Sequence, residues 1–156
     1  MTQAETTLDI AHKMGDIFND LDAEVAHRYV AADFVDYEAP PGTPGGPDGY
    51  LGTAKWMNSI FADAKWERID SFADGDKAVI HLRFTGRHVR DFLGIKATGA
   101  DVALEHMHIY RVQDGKVVEH WGCRQDLFLM LQIGAIQLDL RPFSPEEESA
   151  GETVSP

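Results

Sequence analysis

The sequence predicts an α+β domain, with helices in the first part of the chain and an antiparallel sheet in the second. Up to about residue 61, apolar side chains recur three or four positions apart, which is the period of an amphipathic helix. From Trp66 onward apolar and polar residues alternate, which is the period of a half-buried strand. Strands and helices do not take turns along the chain, as they would in a parallel sheet.

Two helices are predicted near the start of the chain. Residues 7–21 place an apolar stripe opposite a charged side, and a shorter helix continues to about Tyr29. Asp20 or Asp22 is expected to cap this second helix, because a carboxylate accepts hydrogen bonds from the free N–H groups at a helix start.

A third helix is predicted to begin at Pro47, after a short strand (residues 34–37) and a rigid Pro/Gly-rich loop (residues 40–46). Proline suits a first helical turn, where its missing N–H would have no partner, and Asp48 beside it favours the same helix end. The apolar face carries Tyr50, Leu51, Ala54, Met57, Ile60 and Phe61, with Trp56 at one edge.

A meander of strands follows. Residues 66–72 and 77–89 flank the hairpin signal Asp74-Gly75-Asp76, and a loop over residues 91–99 leads to two long strands around Gln113-Asp114-Gly115. In the second strand one face is apolar, namely Ala78, Ile80, Leu82 and Phe84.

The end of the chain is predicted to hold a short apolar helix and a tail. The helix covers residues 127–133 and stops at Gly134, and residues 136–143 form an arm that packs on this or another subunit. We therefore expect one domain over residues 1–140 and a flexible acidic tail over residues 141–156.

Charge and composition exclude several kinds of partner. The net charge is −12, from 26 acidic and 14 basic residues, which argues against nucleic acid and against an acidic membrane surface. The chain has no apolar run near the roughly 20 residues that cross a bilayer, and its start lacks the pattern of a secretory signal. Cys123 is the single cysteine, so no internal disulfide can form, and we expect a cytoplasmic protein.

Two segments carry a resemblance to a known family. The first contains Gly86, His88, Phe92, Gly94 and the pair Thr98-Gly99. The second runs from Tyr110 through Asp114-Gly115-Lys116 and Glu119-His120-Trp121 to Gln132-Ile133-Gly134. Together they resemble the SnoaL-like polyketide cyclase (ester cyclase) family of the nuclear-transport-factor-2-like superfamily, over roughly residues 8–134.

This resemblance implies a cone-shaped, cystatin-like fold, in which a bent antiparallel sheet wraps around the N-terminal helices and a pocket opens at the wide end. It also implies acid–base chemistry without a cofactor on a small hydrophobic or aromatic polyketide-like substrate. The expected reaction is an intramolecular aldol-type ring closure or an isomerisation. A homo-oligomer, either a dimer or a tetramer, is expected as well.

The resemblance implies an aspartate general base near the end of the last strand, and Asp126 is our candidate. The family pattern places the acid where this chain has Gln125, so Asp126 falls one residue late. A shift of one residue along a strand turns a side chain to the opposite face. The alternative role for Asp126 is to cap the final helix through the N–H groups of Phe128 or Leu129.

Three histidines, His106, His108 and His120, are candidate donors or alternative bases, because imidazole can serve either role near neutral pH. A three-residue turn with a Gly bulge would place His108 opposite His120, whereas a two-residue turn would place it opposite Trp121. The first register puts the three imidazoles on one face with Leu104, Tyr110 and Val118.

The same three histidines could instead bind a metal, since residues i and i+2 of a strand project together. The spacing is weak evidence and the resemblance implies no metal, so we predict none. Glu105 and Arg124 could form a cross-strand ion pair. The candidate substrate-binding residues are Tyr37, Tyr50, Trp56, His88, Glu105 and Trp121.

Two other functions fit the sequence. One is hydrolysis or rearrangement of an epoxide or a lactone in the same pocket, with an acid–base pair that activates water. The other is a non-catalytic role, as a small-molecule binder or an accessory subunit of a partner enzyme.

Overall fold

The computed structural model of the chain describes residues 1–142. It contains four helices and five strands, and the strands form one curved open sheet in the order β1-β5-β4-β3-β2. In chain order these are α1 (Gln3–Asp20), α2 (Ala23–Tyr29), β1 (Val30–Asp36), α3 (Gly46–Ile60), β2 (Phe61–Asp74), β3 (Lys77–His88), β4 (Asp101–Gln113), β5 (Lys116–Arg124) and α4 (Asp126–Gln132). The α+β prediction is confirmed.

Helix α1 begins four residues earlier than predicted because of a capping box. The hydroxyl of Thr2 accepts from the backbone N–H of Glu5, whose carboxylate accepts from the backbone N–H of Thr2. Asp22 caps α2 as expected, since its Oδ1 accepts from the N–H groups of Glu24 and Val25 at 2.8 and 3.1 Å.

One strand departs from the antiparallel meander. Strand β1 lies parallel to β5 at the edge of the sheet, and Asp36 is the register partner of His120. The other neighbours in the sheet are antiparallel, as predicted. Consequently a residue from the first quarter of the chain lies beside the middle of the last strand.

Neither predicted register of the β4–β5 hairpin is correct. Asp114 and Gly115 both have positive φ, 51° and 77°, so the turn has two residues and Gln113 pairs with Lys116. The register then shifts by one residue near Val118, and His108 is opposite Gly122. Because of this bulge Val117 is fully buried and Val118 only partly buried, while His120 still points inward.

The core lies between the helices and one face of the sheet, which we call the inner face. On β3 it carries the four apolar residues that the alternation predicts, and on β4 every second side chain from Val102 to Val112 is buried. The intervening residues form the outer face, where Met107 and Ile109 are exposed. Helix α1 supplies Ile10, Ala11, Met14 and Ile17 to the core.

The segment after α4 has no regular secondary structure as far as the structure describes it. Leu138 and Leu140 are exposed in this segment, and Phe143, the last residue of the predicted arm, lies outside the described residues. The predicted tail lies outside them too, apart from residues 141 and 142. Within residues 1–142 every helix is too short or too polar to cross a membrane.

Candidate functional site

A cavity of about 440 Å³ lies between α1, α3 and the inner face of the sheet. Its walls are mostly apolar and aromatic, with Phe18, Trp66 and Phe84 among them. Polar side chains gather on one side, where β4, β5 and the segment after β1 meet. These are Asp36, Glu38, His106, His108, His120, Arg124 and Asp126. A large apolar cavity with a few convergent polar groups is the usual form of a small-molecule site.

The three predicted histidines come together in this cavity. They are 4% (His106), 8% (His108) and 5% (His120) exposed, and they project inward from β4 and β5. His106 stacks on Phe84 at 5.7 Å and makes no side-chain hydrogen bond within the described part of the chain. Burial lowers the pKa of His106 to about 3, with a further contribution from the positive charge of Arg124. The pKa of His108 also lies well below its usual value, chiefly through burial.

His108 and His120 belong to a chain of hydrogen bonds that ends at Asp36. His120 Nδ1 lies 2.8 Å from Asp36 Oδ1, and His120 Nε2 lies 2.8 Å from His108 Nδ1. Burial alone would raise the pKa of Asp36, but the hydrogen bond and charge of His120 and the N–H of Glu38 outweigh it and hold that pKa below its ordinary value.

For each protonation state of His120, the hydrogen-bond chain determines which nitrogen atoms carry the protons. An ionised carboxylate only accepts, so His120 donates to Asp36 through Nδ1. If His120 is neutral, its Nε2 accepts from His108 Nδ1–H, and His108 Nε2 is left with a lone pair. If His120 is protonated, it donates through both nitrogens, and the proton of neutral His108 moves to Nε2. The group can therefore take up one proton at His108 Nε2 and store the charge beside Asp36.

Two buried tyrosines pack beside this chain of hydrogen bonds. The ring of Tyr110 stacks on His120 at 4.7 Å with an interplanar angle of 13°, and its hydroxyl lies 3.4 Å from that of Tyr50. Tyr50 donates to the carbonyl of Met14 at 3.2 Å. Burial raises the pKa of both phenols above the ordinary value, so they remain neutral hydroxyls.

The predicted base, Asp126, lies at the rim of the cavity and outside the hydrogen-bond chain. It is the first residue of α4, its side chain is 59% exposed, and its Oδ1 accepts from Arg124 Nε at 3.4 Å. Gln125 occupies the N-cap position, so the alternative role of Asp126 as the helix cap is wrong. Gln125 itself accepts from the N–H of Glu105, which fastens the end of β5 to β4.

The predicted substrate-binding residues divide between the two faces of the sheet. Tyr50 and Trp56 line the cavity, although Tyr50 is also a core residue. Tyr37 and Trp121 stack on each other at 5.1 Å, and Tyr37 donates to Glu119, so this pair lies on the outer face. They do not line the cavity, because strand alternation turns them away from it.

Glu105 also lies on the outer face, where it contacts His81 at 2.9 Å and Arg83 at 3.8 Å. The predicted ion pair between Glu105 and Arg124 is wrong, because Arg124 points inward to Glu38 and Asp126. Alternation explains the difference, since Glu105 and the inward-facing His106 are neighbours in sequence.

His88, which was predicted to bind substrate, is fully buried and does not line the cavity. Its Nδ1 accepts from the N–H of Thr98 at 3.3 Å and lies 3.1 Å from the Thr98 hydroxyl. This contact holds the two ends of the loop between β3 and β4 together. Phe92 and Leu93 of that loop line the cavity, so His88 supports the cavity wall from behind.

Asp36, Glu38 and Arg124 are site residues that sequence reasoning did not select. Asp36 stands at the end of a short apolar run, Phe34-Val35-Asp36, which is a weak signal by itself. Its importance depends on the parallel pairing of β1 with β5, and no local pattern reveals that pairing. Arg124 was predicted only as a cross-strand ion-pair partner of Glu105.

Comparisons with known proteins agree with this architecture. The model of the family described as SnoaL-like polyketide cyclase matches residues 8–133. The chain is 25% identical over 118 residues to the aklanonic acid methyl ester cyclase DnrD of Streptomyces peucetius, covering 74% of this chain and 81% of that protein. Similar solved structures include TsrD from Streptomyces laurentii (24% identity, TM-score 0.76, 85% of this chain and 97% of that one) and IdmH from Streptomyces antibioticus (28% identity, TM-score 0.70, 82% and 98%).

Proposed function

Because the chain belongs to the SnoaL-like polyketide cyclase family, we propose that it catalyses an intramolecular aldol-type ring closure of a polyketide-derived metabolite without a cofactor. The cavity supports this proposal. Its volume of about 440 Å³ lies within the range of small-molecule sites, roughly 300–1,000 Å³, and its aromatic walls suit a flat, hydrophobic substrate.

The observation that carries the proposal is the hydrogen-bond chain from Asp36 through His120 to His108. Ring closure begins with removal of a proton from a carbon next to a carbonyl group, and this step requires a base. His108 Nε2 is the base in our proposal, since Nδ1 is already engaged with His120. Its depressed pKa makes His108 a poor place to leave a proton. Transfer of the Nδ1 proton to His120 solves this, because the positive charge then lies beside the Asp36 carboxylate.

After this proton transfer, ring closure needs no further reactant. The enolate carbon forms a new C–C bond to a second carbonyl carbon of the same molecule, and the π electrons of that carbonyl move to its oxygen. This alkoxide takes back one proton from His108 Nε2, and the chain of hydrogen bonds returns to its first state. His106, which is neutral and has no hydrogen-bond partner among the described residues, donates to the attacked carbonyl and polarises it.

A direct test uses aklanonic acid methyl ester, the compound in the names of two relatives, as the candidate substrate. We expect His108→Gln to lower the turnover number by about 10²–10⁴-fold, the usual contribution of a general base. Asp126→Asn should keep turnover within a few-fold, because this carboxylate lies at the exposed rim. His81→Gln is the matched control, since this imidazole lies on the outer face of the neighbouring strand.

The opposite pattern, with Asp126→Asn inactive and His108→Gln active, would assign the base to Asp126. Mass spectrometry of product formed in ¹⁸O-labelled water separates ring closure from hydrolysis of an epoxide or a lactone. Ring closure predicts that the hydroxyl group formed at the attacked carbon keeps the oxygen of the substrate carbonyl and gains none from solvent. Incorporation of a solvent oxygen at the reacting carbon would contradict the proposed reaction.

A further inference from the structure

The charges that line the cavity are unbalanced. Asp36, Glu38 and Asp126 contribute three carboxylates, whereas Arg124 is the single lysine or arginine among the lining residues in the described part of the chain. An anion that forms in this cavity therefore meets one permanent positive charge. A reaction that builds negative charge on oxygen depends on where that guanidinium lies.

Arg124 is held in place at the end of β5. It is the register partner of His106 and points to the inner face. Its Nη2 lies 3.1 Å from Glu38 Oε2, and its Nε lies 3.4 Å from Asp126 Oδ1. Within residues 1–142 no hydrogen bond or ion pair engages Nη1. The side chain as a whole is 30% exposed.

A glycine makes this arrangement possible. Gly122 lies two residues before Arg124, and a Cβ there would stand 2.9 Å from His108 Nδ1 and 3.3 Å from Glu38 Cγ. The missing side chain lets the imidazole and the carboxylate approach β5 from the inner face. His108 and Glu38 therefore both lie close to the backbone of Gly122, and Glu38 in turn orients Arg124.

We propose that Arg124 binds the enolate oxygen that forms when His108 removes the substrate proton. This inference rests on the proposed function and adds a role that the histidines do not fill. A partly buried guanidinium attracts an oxyanion more strongly than it would in bulk water. Glu38 is the positioning residue, because its carboxylate lies 3.1 Å from Nη2 and leaves Nη1 for the substrate. The matching substrate carries an acidic C–H next to a carbonyl group that reaches the Arg124 end of the cavity.

A binding experiment tests this role without turnover. 4-Nitrophenol is a planar, chromogenic mimic of an enol, and absorbance reports how much of the bound compound is phenolate. The wild-type protein should bind phenolate more tightly than phenol and lower the pKa of the bound compound. Arg124→Gln should raise that pKa by about 1–3 units, the usual effect of an opposite charge at contact distance. Each unit corresponds to a tenfold weaker preference for the phenolate.

Controls isolate the charge from packing. Arg124→Lys should restore part of the phenolate preference, and binding of the neutral analogue 4-nitroanisole should not change in either variant. Arg111→Gln is the matched control, because Arg111 is also paired with a glutamate but lies outside the cavity. It should bind phenolate as the wild type does. Thermal unfolding checks that each variant is folded.

Three results would overturn the inference. One is an unchanged bound pKa in Arg124→Gln, and another is an equal loss of phenolate and 4-nitroanisole binding, which would indicate packing alone. The third is dependence on Arg124 for 4-nitrobenzoate but not for the phenolate, which would make Arg124 a carboxylate site. The phenolate assay measures binding and does not depend on turnover. If ring closure fails in the earlier assay, the phenolate result still tests the role of Arg124, so the two proposals can fail separately.

Discussion

Replacing His106 by leucine should remove a large acid-dependent loss of stability. The imidazole is 4% exposed and its pKa in the folded protein is about 3, against 6.5 for the free side chain. Between pH 6.5 and 3 the unfolded chain therefore binds a proton at this position and the folded chain does not. Since the unfolded state binds more protons there, the free energy of unfolding falls as the pH falls through this window.

The size of the effect follows from the shift. A difference of about 3.5 pKa units corresponds to about 5 kcal/mol across the whole window, at 1.36 kcal/mol per unit. At pH 5 the loss from this residue alone is about 2 kcal/mol, because 1.5 units separate that pH from the unfolded pKa. Domains of this size are typically stable by about 5–15 kcal/mol, so the loss is a large fraction of the total. His108 acts in the same direction.

Urea unfolding at pH 7.5 and pH 5 measures this contribution. The free energy of unfolding of His106→Leu should fall by about 2 kcal/mol less between the two pH values than that of the wild type. Met107→Leu is the matched control, because it changes the neighbouring residue on the outer face and adds no titrating group. Equal pH dependence in His106→Leu and the wild type would refute the reasoning, since it would mean that burial does not depress the His106 pKa.

Three further changes test the architecture of the site. Asp36→Asn should lower the turnover number by about 10²–10⁴-fold, because the amide cannot hold the charge that forms on His120; steady-state rates within a few-fold of wild type would contradict this. Gly122→Ala places a Cβ 2.9 Å from His108 Nδ1, so the base should be displaced and turnover should be roughly a hundredfold slower. The same overpacking should lower the free energy of unfolding, measured in urea, by about 1–3 kcal/mol. Asn19→Ala removes two hydrogen bonds to the backbone of Trp66, both 2.9 Å long, and should lower the free energy of unfolding by about 2 kcal/mol. Asp20→Ala is the control, because this neighbouring side chain is exposed and its removal should change the free energy of unfolding little.

The elements of the fold were predictable because each depends on near neighbours in sequence. The carboxylate of Asp22, the apolar alternation of β3 and the breaks at glycine and proline act within a few residues. The bulge near Val118 was not predictable, because it depends on how β5 fits between two other strands. The capping box at Thr2 and Glu5 is likewise a local signal, and it starts α1 earlier than the apolar period indicates.

The site was predictable in part for the same reason. The spacing of His106 and His108 on one strand places both on the same face whatever the turn, and the bulge brings His120 to that face as well. Tyr37 and Glu105 were predicted to bind substrate, yet both lie on the outer face. Sequence alone does not say which face of a strand meets the helices. Asp36 could not be selected, because its partner lies on a strand that sequence patterns do not connect with β1.

The parallel contact between β1 and β5 also sets the order in which this chain can fold. Asp36 and His120 are separated by 84 positions, so their hydrogen bond closes one of the longest loops of the domain. Closing such a loop costs conformational entropy before any contact repays it, which makes non-local pairings late and slow. During synthesis β1 has no strand to pair with until β5 has emerged, and β4 keeps an open edge until then. Exposed strand edges favour aggregation, so a chain that ends before β5 loses both the candidate site and the strand that covers the edge of β4.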